Sequence, residues 1–403
     1  MTDEELQKIA EKYGKPVYVF DIKALRTRIN KIKKIVGDKV HLCYSIKANP
    51  FLITEMPCEI EHLEVCSPGE LDICRKLHVQ GRKIVYSGVY KGAGDIADAV
   101  EMQAGIYTAE SIHQAELLQM EAAKRDTVLP VLLRLNAGSQ FGMSREDLCY
   151  IFSNMDQFRN LQIEGIHFFA GTQRKKIAQQ EKELQMLKEL FEQIHIQYGF
   201  VLKKLEYGPG LPVPYFMGED FSDTLRPLRE LAEALKDAAT WSELTVEMGR
   251  FFSAACGYYL TKVVDQKRNE GISYSILDGG MNHVTYLGQV MGMKNPIIRH
   301  LKPVQKTEED DRQENWALCG SLCTTADVLT RQTPFSNLAC GDILAFCNMG
   351  AYSVTEGIYL FLSRSMPEIL LYNTDESGQN KVSVARKALE TSVLNMIDKS
   401  PEN

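Results

Sequence analysis

The sequence predicts an α/β protein in which a (β/α)8, TIM-like barrel is followed by an all-β domain. Short β-prone runs alternate with amphipathic helical stretches through the first two-thirds of the 403-residue chain, as in barrels built from strand–helix units. From about Tyr258, long helical periodicity gives way to β-like segments with Gly-rich turns. We therefore predict a barrel at residues 22–257 and a β-domain, with a C-terminal helix, at residues 1–21 and 258–403.

The strands and helices of the barrel can be placed in order. Val17–Phe20 precedes the barrel and is expected to join the β-domain. A helix is predicted over Asp21–Val36, because Asp21 suits the N-cap and Gly37 the C′ position. The longest helix is predicted at Lys175–Tyr198 and ends at Gly199. The eight barrel strands are predicted at Val40–Ile46, His62–Val65, Lys83–Ser87, Gly105–Tyr107, Pro130–Leu135, Ile163–Phe169, Lys204–Tyr207 and Leu244–Glu247.

The β-domain is predicted from shorter and less regular segments. The charged stretch Lys306–Asn315 is interpreted as a solvated loop between strands. The predicted strands are Tyr259–Val264, Ser273–Leu277, Ala317–Leu318, Asp342–Phe346 and Glu368–Tyr372.

Composition argues against several functional classes. A net charge of −7 gives no support for nucleic-acid binding, and no apolar run approaches the roughly 20 residues of a membrane span. The acidic N-terminus argues against a secretory signal. Ten cysteines contain no C-x-x-C pair and eight histidines no H-E-x-x-H, so we expect no metal site. Cysteines used in this way favour a reducing, cytoplasmic location.

The first barrel strand ends in an informative sequence, Tyr44-Ser45-Ile46-Lys47-Ala48-Asn49-Pro50. Proline disfavours helical backbone in the residue before it, so a turn is predicted there. An amine at the mouth of a buried strand loses hydration, and we expect the pKa of Lys47 to fall towards what a Schiff base needs. The alternative is an ordinary lysine whose stem lies along the protein surface.

Further polar and glycine residues follow the last three barrel strands. The sixth strand carries His167 and Phe169, the seventh runs into Gly208-Pro209-Gly210, and the eighth ends in Glu247-Met248-Gly249-Arg250. Glycines allow backbone N–H groups to approach a phosphate, and arginine adds bidentate charge. Alone, Gly-Pro-Gly usually forms a turn, and a strand-end glutamate usually lies at the surface. Together with Lys47, these residues indicate a phosphorylated carbonyl cofactor such as pyridoxal 5′-phosphate.

These segments resemble those of the fold-type III pyridoxal-phosphate-dependent decarboxylases, the group of diaminopimelate and ornithine decarboxylases. The resemblance runs from Tyr44 to Tyr352 and implies the fold predicted above. The family's Y-x-x-K-A-N carries the Schiff-base lysine, here Lys47. Its E-P-G-R appears as Glu247 to Arg250, which implies Glu247 at the cofactor's ring nitrogen and Arg250 at its phosphate. A carboxylate at that nitrogen makes the ring a strong electron sink, which suits decarboxylation.

The β-domain carries two further matches to the family. Cys319-Gly320-Ser321-Leu322-Cys323-Thr324-Thr325-Ala326-Asp327 resembles its C-G-x-x-C-[DE]-x-x-D, which implies that Cys323 protonates the product as a general acid. Gly350-Ala351-Tyr352 resembles its G-A-Y and implies Tyr352 at the phosphate. In the family that cysteine comes from the neighbouring subunit, so the resemblance implies a homodimer with shared active sites. The alternative for Cys323 is a buried structural cysteine.

The chain departs from the family at positions that bear on the substrate. Phe169 stands where many members have a histidine that stacks on the cofactor, and Pro209 removes one N–H donor from the phosphate loop. After the catalytic cysteine, ornithine and diaminopimelate decarboxylases carry an Asp or Glu that meets the substrate's distal ammonium. This chain has Thr324, and a neutral hydroxyl cannot neutralise a buried ammonium. A free diamino substrate therefore loses its main anchor.

Other segments resemble one branch of the family. Asp278-Gly279-Gly280-Met281-Asn282-His283, Leu287-Gly288-Gln289-Val290 and Cys323-Thr324 are similar to decarboxylases linked to polysaccharide export and to one acting on glutamate tethered to an acyl carrier protein. The resemblance implies a neutral thioester or amide at the distal end, with an acyl carrier protein as a candidate partner. Arg174, Lys175 and Lys176 are a candidate docking site for it, or a solvated basic turn offset by nearby glutamates.

Three other interpretations stay open at this point. The chain could be a diaminopimelate decarboxylase proper, an amino-acid racemase on the same architecture, or a non-catalytic homologue that binds no cofactor. Glu247 speaks against a racemase, since alanine racemases usually hold the ring nitrogen with arginine. Arg364 follows Ser363 where the family often has an arginine near the substrate carboxylate, so we take it as a candidate substrate residue.

Overall fold

The computed structural model describes residues 1–14, 16–286, 292–301, 313–374 and 378–397. The chain folds into two compact units. The barrel unit comprises Arg26–Val213 and Ser222–Phe252, and the β-unit comprises Met1–Leu25, Pro214–Phe221 and the described residues of Ser253–Asn403. Residues 214–221 lie within the predicted barrel range but cluster with the β-unit. The predicted domain boundaries stay a prediction. No helix in the described ranges is long and apolar enough to cross a membrane.

Two elements lie before the barrel. Helix α1 (Asp3–Tyr13) begins with a capping box formed by Thr2 and Glu5 and ends at Gly14, which has a φ of +63°. Strand β1 (Val17–Asp21) follows and is buried along its whole length. The sequence analysis did not predict α1.

Eight parallel strands close into a barrel within the fully described segment 16–286, as the sequence predicts. The last strand, β9 (Glu243–Met248), pairs in parallel with the first, β2 (His41–Ser45), with Val246 opposite Leu42, and so completes the ring. Most barrel-strand residues are buried, which explains why the sequence shows near-continuous apolar runs there. The strands are β2 (His41–Ser45), β3 (His62–Val65), β4 (Ile84–Tyr86), β5 (Ile106–Ala109), β6 (Leu129–Arg134), β7 (Leu161–Phe169), β8 (Lys204–Gly208) and β9 (Glu243–Met248).

Helices connect these strands and end where the capping residues predict. Asp21 Oδ1 accepts a hydrogen bond from the Ala24 amide at 2.9 Å, and Gly37 has a φ of +83°. Helix α7 begins at Ile177, two residues later than predicted, and ends at Gly199 with a φ of +74°. The helices are α2 (Ile22–Val36), α3 (Pro68–Lys76), α4 (Ala93–Glu101), α5 (Ile112–Lys124), α6 (Arg145–Ser153), α7 (Ile177–Tyr198), α8 (Arg226–Trp241) and the short α9 (Arg250–Ser253).

The β-unit contains a mixed sheet of nine strands among the described residues, in the order β14-β13-β11-β10-β1-β16-β17, with β15 pairing both β10 and β12. Strand β1 joins this sheet, as the sequence predicts, and pairs antiparallel with β10 and parallel with β16. The remaining strands are β10 (Gly257–Asn269), β11 (Ile272–Leu277), β12 (Ile298–Leu301), β13 (Gln313–Cys319), β14 (Val328–Ser336), β15 (Ile343–Cys347), β16 (Glu368–Thr374) and β17 (Asn380–Arg386).

Three features of the β-unit differ from the sequence-based expectations. Residues 313–315, expected in the charged loop, begin β13, and residues 302–312 lie outside the described residues. The short helix α10 (Ser353–Glu356) was not predicted. In place of the expected C-terminal helix, the last helical segment of the described chain is a single 3-10 turn at Thr391–Leu394. Residues 392–397 are exposed, so little packing stabilises a longer helix there.

Candidate active site

Lys47 lies in a tight turn at the carboxyl end of β2. The strand stops at Ser45, one residue earlier than predicted, and Ile46–Ala48 forms a 3-10 turn. Tyr44 and Asn49 hold this turn, because the tyrosine hydroxyl donates to the Asn49 carbonyl at 3.0 Å. A Cβ at Gly249 would lie 2.7 Å from the Ala48 Cβ, so the turn packs directly against the residue that follows β9.

The amine of Lys47 is placed between two buried carboxylates. Its Nζ donates to Glu64 Oε2 at 2.8 Å and lies 3.8 Å from Glu247 Oε1. The Lys47 side chain is 40% exposed, whereas Glu64 and Glu247 are 2% and 7% exposed. Cys66 Sγ is 3.6 Å from the same amine and itself donates to Glu64 Oε1.

Glu64 and Cys66 were not predicted from the sequence. A glutamate in the middle of the short, buried strand β3 could have revealed Glu64, because a charged side chain there has to point into the barrel or be paired. No comparable signal marks Cys66, which follows the strand.

Two hydrogen bonds hold Glu247 in place. Ser45 Oγ donates to Oε1 at 2.6 Å, and His167 Nε2 lies 2.9 Å from Oε2. The second contact needs the hydrogen on Nε2, since a carboxylate oxygen only accepts. Burial alone would raise the pKa of Glu247, but the Lys47 charge and the hydrogen bond from His167 hold that pKa well below its ordinary value. Glu247 is therefore an ionised carboxylate inside the barrel.

Glu206 on β8 is a second carboxyl in the same region with the opposite behaviour. Burial, and then the negative charges of Glu247 and Glu64, raise the pKa of Glu206 well above its ordinary value. Its Oε1 has no hydrogen-bond partner among the described residues. Burial and the neighbouring charges thus shift the pKa values of these two carboxyls in opposite directions, upward for Glu206 and downward for Glu247. The sequence analysis did not predict this pairing.

The glycines after β8 are at positions that tolerate no side chain. A Cβ at Gly208 would lie 2.6 Å from Phe169 Cδ2, and one at Gly210 would lie 1.8 Å from the Gly171 carbonyl oxygen. Gly210 also has a φ of +61°, which favours glycine. Both positions therefore require glycine, because the backbone packs closely against neighbouring segments. Glycines in a turn also let backbone N–H groups approach a phosphate closely, so these residues are compatible with a phosphate-binding loop.

The basic turn before α7 is partly committed to internal contacts. Arg174 forms a two-pronged ion pair with Glu183, and the Tyr207 hydroxyl donates to Glu183 Oε2 at 2.8 Å. Arg174 is largely buried, so it does not present its charge to a docking protein. Lys175 and Lys176 are exposed.

The loop that carries Cys323 lies between β13 and β14 and is organised around Asp327. The Asp327 carboxylate is buried and accepts hydrogen bonds from the backbone amides of Met281 and Leu322, both at 2.8 Å. A Cβ at Gly280 or Gly320 would lie within 2.4 Å of the nearer Asp327 oxygen. Gly280 of the Asp278–His283 motif therefore makes room for Asp327. The other motif of this branch, Leu287–Val290, lies outside the described residues.

Three predicted residues are exposed on or beside this loop. Cys323 and Thr324 lie on its surface, which removes the alternative of a buried structural cysteine. The Thr324 hydroxyl accepts a hydrogen bond from the Ala326 amide at 3.3 Å. Arg364 Nη2 donates to the Ser321 carbonyl at 3.0 Å, so this guanidinium borders the loop.

Tyr352 adopts a strained backbone conformation immediately before α10, with φ 66° and ψ −48°. Strain of this kind concentrates at functional sites. Gly350 explains the start of the motif, because a Cβ there would lie 1.9 Å from the Ser253 carbonyl oxygen.

Among the predicted residues of the barrel unit, contacts join Lys47, Glu247 and His167, and Phe169 lies beside Gly208. Gly210 and Arg250 follow the ends of β8 and β9. Cys323, Thr324, Tyr352 and Arg364 belong to the β-unit, and the role of every residue in the two sets stays a prediction. Across the described ranges, no group of three or more His, Cys, Asp or Glu side chains is arranged to hold a metal ion.

Comparison with known proteins identifies relatives over nearly the whole chain. Residues 22–254 match the family model for the pyridoxal binding domain of pyridoxal-dependent decarboxylases. The chain is 27% identical to the L-glutamyl-[BtrI acyl-carrier protein] decarboxylase of Niallia circulans, covering 92% of this chain and 91% of that protein. It is 25% identical to the diaminopimelate decarboxylase of Aquifex aeolicus, covering 91% and 89%. The crystal structure of a diaminopimelate decarboxylase from M. jannaschii superposes with a TM-score of 0.83 at 23% identity, covering 98% of this chain and 94% of that one.

Proposed function

The chain belongs to the pyridoxal-dependent decarboxylase family, and from that premise we propose that it removes the α-carboxyl group of an L-amino acid whose distal end is a neutral acyl group. A glutamyl or similar aminoacyl group tethered to an acyl carrier protein meets this description. The cofactor of the family is pyridoxal 5′-phosphate, and the enzyme is a carboxy-lyase.

One observation carries the proposed substrate class. Thr324 occupies the position where the family has an acid for a distal ammonium, and Asp327 is the acidic residue of segment 319–328. Both oxygens of Asp327 already accept backbone hydrogen bonds inside the protein. This loop therefore offers no carboxylate to a diamino substrate, and an uncompensated ammonium would be costly to bury. The Niallia circulans relative, which acts on a carrier-bound glutamyl group according to its name, agrees with this reasoning.

The barrel residues have complementary roles in the proposed reaction. When bound, pyridoxal phosphate supplies an aldehyde that reacts with amines and a ring that accepts the electron pair left by the departing carboxyl group. The amine of Lys47 would hold the cofactor by condensing with this aldehyde, whose oxygen leaves as water. Glu247 would stabilise a proton on the ring nitrogen, and its low pKa supports this role because an ionised carboxylate accepts the hydrogen bond and also offsets the positive charge of the nitrogen.

Other residues bind the phosphate or act on the product. The amides of Gly208 and Gly210 and the guanidinium of Arg250 are proposed to bind the phosphate, together with Tyr352. Phe169 packs against Gly208 and is proposed to face the cofactor ring. Cys323 is proposed to return a proton to Cα after carbon dioxide leaves, and its exposure supports access to a substrate. Arg364 is proposed to meet the substrate near Thr324.

The proposed assembly follows from the resemblance rather than from a described contact. We propose a homodimer in which Cys323 of one copy serves the site of Lys47 in the other. A cytoplasmic location is proposed from the ten cysteines, which contain no C-x-x-C pair.

A substitution at position 324 tests the substrate class. Carbon dioxide release is measured for the holoenzyme with diaminopimelate, lysine, ornithine, glutamate and a glutamyl conjugate of an acyl carrier protein. We expect the conjugate to be preferred over free diaminopimelate by roughly 100-fold or more in kcat/KM, the cost of an unpaired ammonium. Thr324→Glu should narrow this gap by improving turnover of diaminopimelate.

Thr324→Val is the matched control, because it leaves the position neutral and should leave diaminopimelate a poor substrate. Turnover of free diaminopimelate by the unmodified enzyme at ordinary enzymatic rates would contradict the proposed substrate class and favour a diaminopimelate decarboxylase, the function named for the Aquifex aeolicus relative.

A further inference from the structure

The backbone after β8 is hydrogen-bonded at three residues, Pro209, Gly210 and Val213, to one segment, residues 173–180. Gln180 Nε2 donates to the Pro209 carbonyl at 3.2 Å, and the Arg174 amide donates to the Gly210 carbonyl at 2.9 Å. The Gln173 carboxamide donates to the Val213 carbonyl at 2.9 Å and accepts from the Val213 amide at 2.8 Å. The loop is therefore fixed from Pro209 to Val213 by the start of α7 and the turn before it.

The first of these bonds determines where an amide hydrogen points. The Pro209 carbonyl and the Gly210 N–H belong to the same planar peptide group and, in the trans form, point in opposite directions. The described chain contains no cis peptide bond. By holding the carbonyl oxygen towards α7, Gln180 turns the Gly210 N–H away from the helix.

The burial of Gln180 indicates that this contact is specific. The side chain is 0% exposed, and its Oε1 has no hydrogen-bond partner among the described residues. A buried carboxamide with one unsatisfied oxygen is costly, and an apolar residue of similar size would fill the same space without that cost. The hydrogen bond to Pro209 is the contact that an apolar residue could not make.

Proline at position 209 increases the importance of the remaining donors. A proline has no N–H, so the Gly208-Pro209-Gly210 loop has one backbone donor fewer for binding a phosphate than a loop without proline. The direction of the Gly210 N–H then matters more. A donor that is already oriented also costs less conformational entropy when a ligand binds.

We propose that Gln180 is a positioning residue for the cofactor phosphate: it orients the Pro209–Gly210 peptide so that the Gly210 N–H points at a phosphate oxygen. The inference rests on the proposed role of Gly208 to Gly210 as the phosphate loop. It names a residue outside that loop, on the helix, as a determinant of cofactor affinity.

Titration of the purified apoenzyme with pyridoxal phosphate and with pyridoxal tests this inference. Gln180→Met keeps the volume and removes the donor. We expect the Kd for pyridoxal phosphate to rise about tenfold, as for a misaligned hydrogen bond to a charged group, and the Kd for pyridoxal to stay unchanged. Gln179→Met is the matched control, because Gln179 is exposed on the same helix turn and should change neither constant.

Further variants separate the possible failures. If Gln180→Met does not fold, Gln180→Asn keeps the amide, shortens its reach and carries the same expectation. Equal weakening of both ligands, or of neither, would overturn the role of Gln180. Gly210→Ala places a Cβ 1.8 Å from the Gly171 oxygen and should weaken pyridoxal phosphate selectively. If it does so while Gln180→Met has no effect, only the inference fails; if neither variant is selective, the phosphate-loop assignment fails as well.

Discussion

Two buried carboxyls in the barrel have pKa values shifted in opposite directions, and this difference decides what each can do. Lys47 and His167 lower the pKa of Glu247, whereas burial and the charge of Glu247 raise the pKa of Glu206. The lowered pKa suits a contact with a protonated ring nitrogen. The raised pKa favours a Glu206 that adds no further negative charge beside Glu247.

The substitution Glu206→Gln tests this assignment. Because the raised pKa of Glu206 favours its protonated, neutral form, we expect the neutral amide to leave kcat unchanged. Glu247→Gln, the matched control, should lower kcat by roughly 100-fold, since it removes a charge that acts on the reacting ring. A large loss of kcat in Glu206→Gln would show that the ionised form of Glu206 is needed.

The same variant has a defined pH dependence. The folded-state pKa of Glu206 is raised, so the unfolded chain releases this proton above about pH 4.3 while the folded chain retains it. The contribution of Glu206 to the stability of the folded chain should therefore fall as the pH rises above about 4.3, and Glu206→Gln should lack that part of the pH dependence. We expect the Tm of Glu206→Gln to rise relative to that of the wild type as the pH increases. The difference should be roughly 2–4 °C for each kcal/mol of unfolding free energy that the wild type loses. A Tm difference that is independent of pH would contradict a raised pKa.

At the scale of elements, the loop between β13 and β14 depends on two glycines that flank Asp327. Gly320→Ala would place a Cβ 2.2 Å from an Asp327 oxygen, so we expect this loop and Cys323 to be displaced. The enzyme should retain the visible absorbance of the bound cofactor, because Lys47 lies in the barrel unit, while kcat falls by roughly 100-fold.

Gly94→Ala is the control for that experiment, because a Cβ at Gly94 meets nothing within 4 Å. It should leave both the absorbance and kcat unchanged. If kcat also survives in Gly320→Ala, the position of Cys323 is not important for turnover.

The barrel strands could be predicted from the sequence more closely than the β-unit. Barrel strands are buried on both faces and read as apolar runs, so β3 was predicted with its observed bounds, His62–Val65. Strand β17 is mostly exposed, with a polar sequence, and β14 contains Pro334; neither gives a clear strand pattern. Helix α1 was missed although its capping box and Gly14 mark both ends.

The candidate site shows the same limit at the level of single residues. The motifs identified Lys47, Glu247 and Arg250, because these residue types recur at strand ends with a recognisable spacing. Glu64, Glu206 and Gln180 lie at ordinary-looking positions of strands or helices. Their importance depends on neighbours distant in sequence, which only the folded chain brings into contact.

At the scale of the whole molecule, the proposed homodimer predicts that two inactive variants restore activity when their subunits mix. Active sites contained within single chains would not do so. Lys47→Ala and Cys323→Ala should each be unable to form the amine product at normal rates. If active sites are shared, mixing the two variants and allowing subunits to exchange should restore roughly a quarter of wild-type product formation, since half of the dimers then contain one intact site. No recovery after verified exchange would contradict a shared site.

The account depends most directly on Lys47 as the amine that binds the cofactor, and the barrel unit offers a rival. Lys91 is also buried, and burial lowers its pKa to about 8. Reduction of the holoenzyme with borohydride fixes the cofactor to the amine that holds it, and mass spectrometry of the digested protein then locates the added mass. We predict the modification on the peptide that contains Lys47. Modification of Lys91, or of no lysine in a preparation saturated with pyridoxal phosphate, would contradict the account.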